Sequence, residues 1–335
     1  MGSAPSGQET RLRSELCRIP RKEDADEAAR YGGNHRMNEK DYMIRAVAAD
    51  EQIRAFAVTS RNLVEEARKA HNTCQVATAA LGRTLSGALM MTSLLKNPDD
   101  LITLQYDCDG PIGGITVTAN NRGEVKGYVK NGNVVLPPKA NGHLDVGQAV
   151  GKGTLTVIRD LDLKNTYNGQ VAIYNGEIAE DLTHYYAESE QVPTTIGLGV
   201  LTDHTDGHVK EAGGFLVQLM PFAADEVISR IEENMKYVQD VTVMLSEGMT
   251  PEDMLKKVLD GLDVTVTETI PVRFHCNCSR ERVENALMLV GTDELDDMIR
   301  EGKDVTLNCQ FCGKAYTFDV EDLKKIRERA VKSRG

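Results

Sequence analysis

Two pairs of cysteines near the C-terminus carry the clearest chemistry in this chain. Cys276-Asn-Cys278 is followed, 30 residues later, by Cys309-Gln-Phe-Cys312-Gly313. Four thiolates from two such pairs can form the tetrahedral shell that zinc prefers, so Cys276, Cys278, Cys309 and Cys312 are the expected ligands of one Zn2+ per chain. The second pair reads as a knuckle, a tight turn after the strand-like VTLN, with Gly313 letting backbone N–H groups approach the sulfurs. The first pair is tighter than the usual C-x2-4-C spacing, which suggests redox duty. Spacing alone leaves a redox site and a purely structural zinc module equally open.

Magnitudes bear on what the metal does. A module of about 70 residues is at the margin of independent stability, whereas a structural zinc site contributes on the order of 10–16 kcal/mol. Disulfides between near neighbours enclose loops too short to constrain the unfolded chain to a comparable extent. An oxidant that reached these thiolates would therefore release the metal and melt the module together.

The rest of the chain must position and respond to that site. With 335 residues, of which 41% are hydrophobic, it can bury one large domain and smaller pieces. No apolar run is long enough to span a bilayer and the N-terminal stretch lacks a secretory h-region, so neither membrane nor export is expected. Residues 1–36 mix arginines with Glu9, Glu15, Glu23, Asp24, Asp26 and Glu27, unlike a mitochondrial transit peptide, and read as a disordered extension, with Met37 a candidate start. The net charge of -12 comes from residues 37–263, with 32 acidic against 20 basic residues. The C-terminal part is near neutral, so no nucleic-acid surface is expected. Seven cysteines, four of them in the last quarter, fit metal binding in a reducing compartment, and a cytoplasmic location follows.

An α+β fold is expected, with an antiparallel-sheet core domain and packed helices over residues 37–220. NLVEEARKA from Asn62, and the apolar series Val76, Leu81, Leu85, Ala88, Leu89 and Leu95, predict two helices packed on a sheet. ITLQYD, GITVTAN and EVKGYVK, parted by DGP and NNRG turns, predict an antiparallel meander. TLTVIRD, GQVAIYN, TIGLGVL and GGFLVQLM are further strands, with a hairpin turn at Asp206-Gly207 and a helix around IAEDLTHYY. Residues 221–263 form a helical linker whose second helix has Thr250 as N-cap, Pro251 at its first position and Gly261 past its end. Met235, Met244, Met249 and Met254 in it fit either an adaptable binding surface or ordinary helices docked on the core. The strand-like VTVTETIPVRFH then leads into the small C-terminal zinc-binding domain, residues 264–335.

These strings resemble the heat-shock protein 33 family of redox-regulated chaperones from about Met37 onward. IRAFAVTSRNLVEEARKAHNT, GPIGGITVTAN, ESEQVPTTIGLGVL, GGFLVQLMP and PVRFHCNCSRERVENAL, with CQFCGKAYTF, carry the resemblance. It implies a holdase, not an enzyme, that works without ATP in protein folding under oxidative stress. Its reduced, zinc-bound form would be inactive. Oxidation would pair Cys276 with Cys278 and Cys309 with Cys312, release zinc, unfold the linker and favour a homodimer that binds unfolding client proteins.

Other signals lead elsewhere or nowhere. DGPIGG runs into a strand, so it reads as a turn rather than a phosphate loop. His71, His143, His184, His204 and His208 lack a metal or nucleophile spacing, and His275 is at most an outer neighbour of the metal site. Cys17 sits in the extension, while Cys74 and Cys108 are lone residues of the core domain, more often inert packing than reactive thiols, and stay open as redox candidates. A thiol–disulfide oxidoreductase would need Cys309-x-x-Cys312 at a helix N-terminus, and a zinc ribbon for RNA or DNA would need a basic surface.

Overall fold

The computed structural model describes residues 40–161 and 166–334, with side chains described through residue 332. The extension over residues 1–36, and Cys17 within it, lies outside the described residues. The described chain divides into two compact units that meet between Phe274 and His275.

The N-terminal unit is α+β, as expected, but it holds two sheets. One has five antiparallel strands in the order β10 (Val264–Pro271), β1 (Tyr42–Ala48), β2 (Ile53–Thr59), β9 (Val209–Leu219), β8 (Thr194–Thr202). The other has six strands in the order β11 (Arg273–Phe274), β5 (Glu124–Val129), β4 (Ile115–Asn120), β3 (Leu101–Cys108), β6 (Gly153–Asp160), β7 (Tyr167–Ala172). β3, β4 and β5 form the predicted meander. Among the described strands, β11 alone pairs in parallel, with β5.

Helix α1 (Arg61–His71) and helix α2 (Gln75–Met91) occupy the predicted places. α2 is buried almost all round, because its many Ala, Gly, Ser and Thr side chains let both sheets approach it. At Gly82 an added Cβ would lie 2.6 Å from Val64 Cγ1. Its hydroxyls are satisfied locally, Thr84 donating to the Ala80 carbonyl at 2.8 Å and Ser86 to that of Gly82 at 2.9 Å. Leu95, expected on the helix, follows a short 3-10 turn beyond its end. Two further helices, α3 (Val146–Val150) and α4 (Ile178–Tyr185), complete the helical part of the core.

The linker folds as α5 (Asp225–Met235), α6 (Val241–Ser246) and α7 (Pro251–Val258). α7 has the predicted Thr250 cap: Thr250 Oγ1 accepts from the Asp253 amide at 3.2 Å, and Asp253 accepts in return from the Thr250 amide at 3.1 Å. Ile231, Val241, Met244, Leu245, Met254, Leu255 and Val258 pack on one face of the five-stranded sheet. That face presents Ile44, Ala46 and Ala48 from β1, Ile53, Ala55 and Ala57 from β2, and Phe215 and Val217 from β9. Met244 and Met254 are fully buried, and Met235 and Met249 pack at the edge. In this structure the methionines are thus part of helices docked on the core, the second of the two readings that the composition left open.

VTVTETIP, read from sequence as the lead into the cysteine module, lies on the N-terminal unit. It pairs with β1 from Tyr42↔Pro271 to Ala48↔Val264. Its Val/Thr alternation suits an edge strand whose outer positions face water. The turn after β4 then meets this strand's end. Gly123 of the NNRG turn has φ +77°, and a Cβ there would fall 2.2 Å from the Pro271 carbonyl oxygen. Its own carbonyl accepts from the Arg273 amide at 2.9 Å. Gly123→Ala therefore meets both left-handed strain and a backbone clash. We expect it to cost about 1–3 kcal/mol in urea unfolding and to loosen residues 264–274 first in hydrogen exchange.

Candidate metal centre

The C-terminal unit consists of α8 (Arg280–Val290), α9 (Thr292–Glu301), the hairpin β12 (Val305–Asn308) and β13 (Ala315–Phe318), and α10 (Val320–Arg334). Among the described residues its apolar cluster contains seven buried ones, Leu287, Leu295, Tyr316, Phe318, Leu323, Ile326 and Ala330. Cys278 and Cys309 pack against it. Arg280 ties the start of α8 to the hairpin: Nη1 donates to the Thr317 carbonyl at 2.8 Å, Nη2 pairs with Asp322, and the guanidinium lies 4.4 Å from the Phe318 ring centroid. Arg327 and Arg329 of α10 pair with Asp296 of α9 and Glu284 of α8 at the surface, where such pairs contribute little each.

Cys276 and Cys278 lie on the loop between β11 and α8, whose N-cap Ser279 accepts from the Arg282 amide at 3.2 Å. Cys309 and Cys312 form the β12–β13 turn. The Gly313 amide donates to the Cys309 carbonyl at 2.8 Å and the Cys309 amide to that of Lys314 at 2.9 Å, while Gly313 takes φ +70°. No helix starts at this CxxC, so it lacks the dipole that an oxidoreductase thiol needs.

The fold brings the four sulfurs within 4.8 Å of one another. Cys276 and Cys309 Sγ are 3.7 Å apart, Cys278 and Cys312 Sγ 3.4 Å. A tetrahedral Zn–S shell, with bonds of about 2.3 Å, requires sulfur separations of about 3.8 Å. Donor type, number and spacing therefore all fit zinc. The electrostatics agree. Burial pushes the Cys276 and Cys312 thiols up. Burial acts in the same sense on Cys278, but hydrogen bonds from Tyr316 and the neighbouring thiols draw it down to about 7. One thiolate is accessible near neutral pH. Four at these distances require a divalent counter-charge.

Tyr316 and Arg280 were not singled out in the sequence. The hydroxyl of Tyr316 donates to Cys278 Sγ at 3.2 Å. The available signal was its place four residues after Cys312 in CGKAY. His275 is exposed beside Cys276. Cys74 precedes α2, and Cys108, whose thiol burial pushes up, ends β3. Neither joins the four-sulfur group. Asp203, Asp206 and His208 do converge, on the β8–β9 turn. Lys210 sits 2.7 Å from Asp203, whose carboxyl is held well below the usual carboxylate range by Lys210 and Thr205. This group closes a hairpin.

A profile of the Hsp33 protein family matches residues 41–319. This chain belongs to the Hsp33 family. It is 50% identical to the 33 kDa chaperonin of Agathobacter rectalis, over 86% of this chain and 99% of that protein. It is 51% identical to that of Lachnoclostridium phytofermentans, over 87% of this chain and 99% of that protein. The crystal structure of the 33 kDa chaperonin (heat shock protein 33 homolog) from Thermotoga maritima superposes with a TM-score of 0.82 at 36% identity. It covers 88% of this chain and 100% of that one. The chain is thus an Hsp33-family chaperone, and its α+β architecture is that of its relatives. Among the described residues, no helix is long and apolar enough to cross a membrane.

Because a thiol must lose its proton to bind a metal, zinc uptake releases protons and affinity rises with pH. With Cys278 near 7 and Cys276 and Cys312 pushed up, competition titrations should show apparent zinc affinity falling at least about tenfold per unit as pH drops from about 8 to about 6.

Proposed function

We propose that this chain is a redox-regulated, ATP-independent holdase of the cytoplasm, held inactive by one zinc ion on Cys276, Cys278, Cys309 and Cys312. The observation that carries the reading is the four-sulfur constellation in a unit whose own apolar core is small. The ion supplies a divalent charge that lets four thiolates stand together. The surrounding residues hold those thiolates in place: the Gly313 turn sets the second pair, Ser279 caps the helix behind the first, and Arg280 fastens that helix to the hairpin.

Oxidation removes the ligands. With hypochlorous acid as oxidant, a thiolate attacks chlorine, hydroxide departs, and a sulfenyl chloride remains. A second thiolate then attacks that sulfur and expels chloride, so each disulfide uses one oxidant, whose chlorine takes up the two electrons that the thiolates lose. Sulfur pairs at 3.7 and 3.4 Å run across the two motifs, whereas the proposed disulfides, Cys276 to Cys278 and Cys309 to Cys312, run within them. Once the first ligand is lost, the tertiary hold on the motifs weakens, and neighbours along the chain become the available partners.

Loss of the module frees the chain that follows β11, which loosens the β10–β1 pairing that anchors the linker on its C-terminal side. Undocking α5–α7 bares the Ile, Ala, Phe and Val face of the five-stranded sheet together with the linker's own apolar faces. Unfolding client proteins bind there, and the oxidised form pairs as a homodimer. None of these steps calls for a catalytic residue or a nucleic acid.

Zinc release and suppression of aggregation of a heat-unfolded client, followed together during hypochlorite treatment, test the proposal. One zinc per chain should leave as client holding appears, and reductant with zinc should reverse both. Cys278→Ser should bind zinc weakly and hold clients without oxidant. Zinc that stays bound while holding appears would refute the coupling.

A further inference from the structure

Tyr316 stands on β13 opposite Leu307 of β12, 7% exposed as a residue and part of the module's apolar cluster. Its packing does not need a hydroxyl. The ring fills the cluster as a phenylalanine would, and Lys314 Nζ lies 5.3 Å from the ring centroid, a contact that any aromatic face supports. A phenol here brings a polar atom that must find a partner. That partner is Cys278 Sγ, 3.2 Å away, with the tyrosine as donor.

We infer that Tyr316 is a positioning residue that sets how readily the four-cysteine site gives way to oxidants, through its hydrogen bond to the Cys278 sulfur. This rests on the reading that Cys276, Cys278, Cys309 and Cys312 hold zinc, for which the fit of sulfur spacing is given above. An O–H donor draws electron density from a thiolate lone pair and occupies one approach to it. The sulfur is then a weaker nucleophile toward peroxide or hypochlorite, and it is held at the angle its metal bond requires. Without the donor, the same four ligands remain, but Cys278 becomes more electron-rich and less well oriented. The threshold for oxidation is in this way written into a neutral side chain that is not itself a ligand.

The position of the bond explains why it falls on one sulfur of the tight CxC pair. Cys278 packs against the apolar cluster from which Tyr316 projects. The β12–β13 turn that holds Cys309 and Cys312 also fixes the start of β13, one residue before Tyr316. The donor is therefore carried by the same hairpin as the second cysteine pair, and any distortion of that pair moves the bond to the first.

Tyr316→Phe in the full chain tests this. In the zinc-loaded protein at a fixed peroxide concentration, zinc release followed with a chromogenic chelator should be about tenfold faster than in the unaltered chain. In the cobalt-substituted protein, the sulfur-to-cobalt charge-transfer band should move to lower energy. A Lys314→Ala variant disturbs the ring contact and leaves the hydroxyl, so it should match the unaltered chain in both readouts. Equal release rates and an unshifted band in Tyr316→Phe, with metal bound one per chain, would overturn the inference while leaving the zinc site standing. Failure of the unaltered chain to take up zinc or cobalt would instead overturn the site itself, and this inference with it.

Discussion

Four cysteine sulfurs drawn within 4.8 Å create a conflict that the rest of the C-terminal unit depends on resolving. As thiols they compete for protons and for space beside a small apolar cluster; as thiolates they repel. On the proposed reading, a divalent ion would turn both costs into binding worth on the order of 10–16 kcal/mol, comparable with the whole stability of an ordinary domain. Seven buried apolar residues are a thin core beside that sum, and the surface pairs of Arg327 and Arg329 add little. On the proposed reading, the same chemistry that makes the unit fold makes it vulnerable, because the ligands are the oxidisable atoms.

The N-terminal unit does not share this dependence. Its core runs through two sheets around α2, which is buried on nearly every side. What it would contribute to the proposed switch is a covered apolar face. The alanines of β1 and β2 give α5–α7 a shallow seat, and the helices are short, so their attachment rests on packing rather than on intrinsic helix stability. The edge strand β10 and the parallel pair of β11 with β5 then bring the chain to the first cysteine.

Much of this was legible in the residues. The paired cysteines, the Thr250-Pro251 helix start and the 101–129 meander are local signals, and local physics honours them. The four-sulfur convergence was legible because two paired cysteine motifs have the donor type and number of a tetrahedral zinc shell. Less legible were features set by tertiary partners. β1 and β2 are apolar runs whose strand character depends on lying beside β9 and β10. VTVTETIP reads equally well as the head of the module it precedes, and only its pairing with β1 assigns it. The periodicity in α2 suggested one buried face because its small residues do not register as core until two sheets close on them. Tyr316 was passed over because a tyrosine in a strand announces packing, and its acceptor lies 38 residues away.

Hydrogen exchange of the full chain before and after removal of zinc by oxidation tests most directly the claim that metal loss at the cysteines undocks the linker. The account predicts that protection collapses in residues 275–334 and in α5–α7, while β2, β9 and α2 keep theirs. Full protection of α5–α7 after the zinc has left would contradict it.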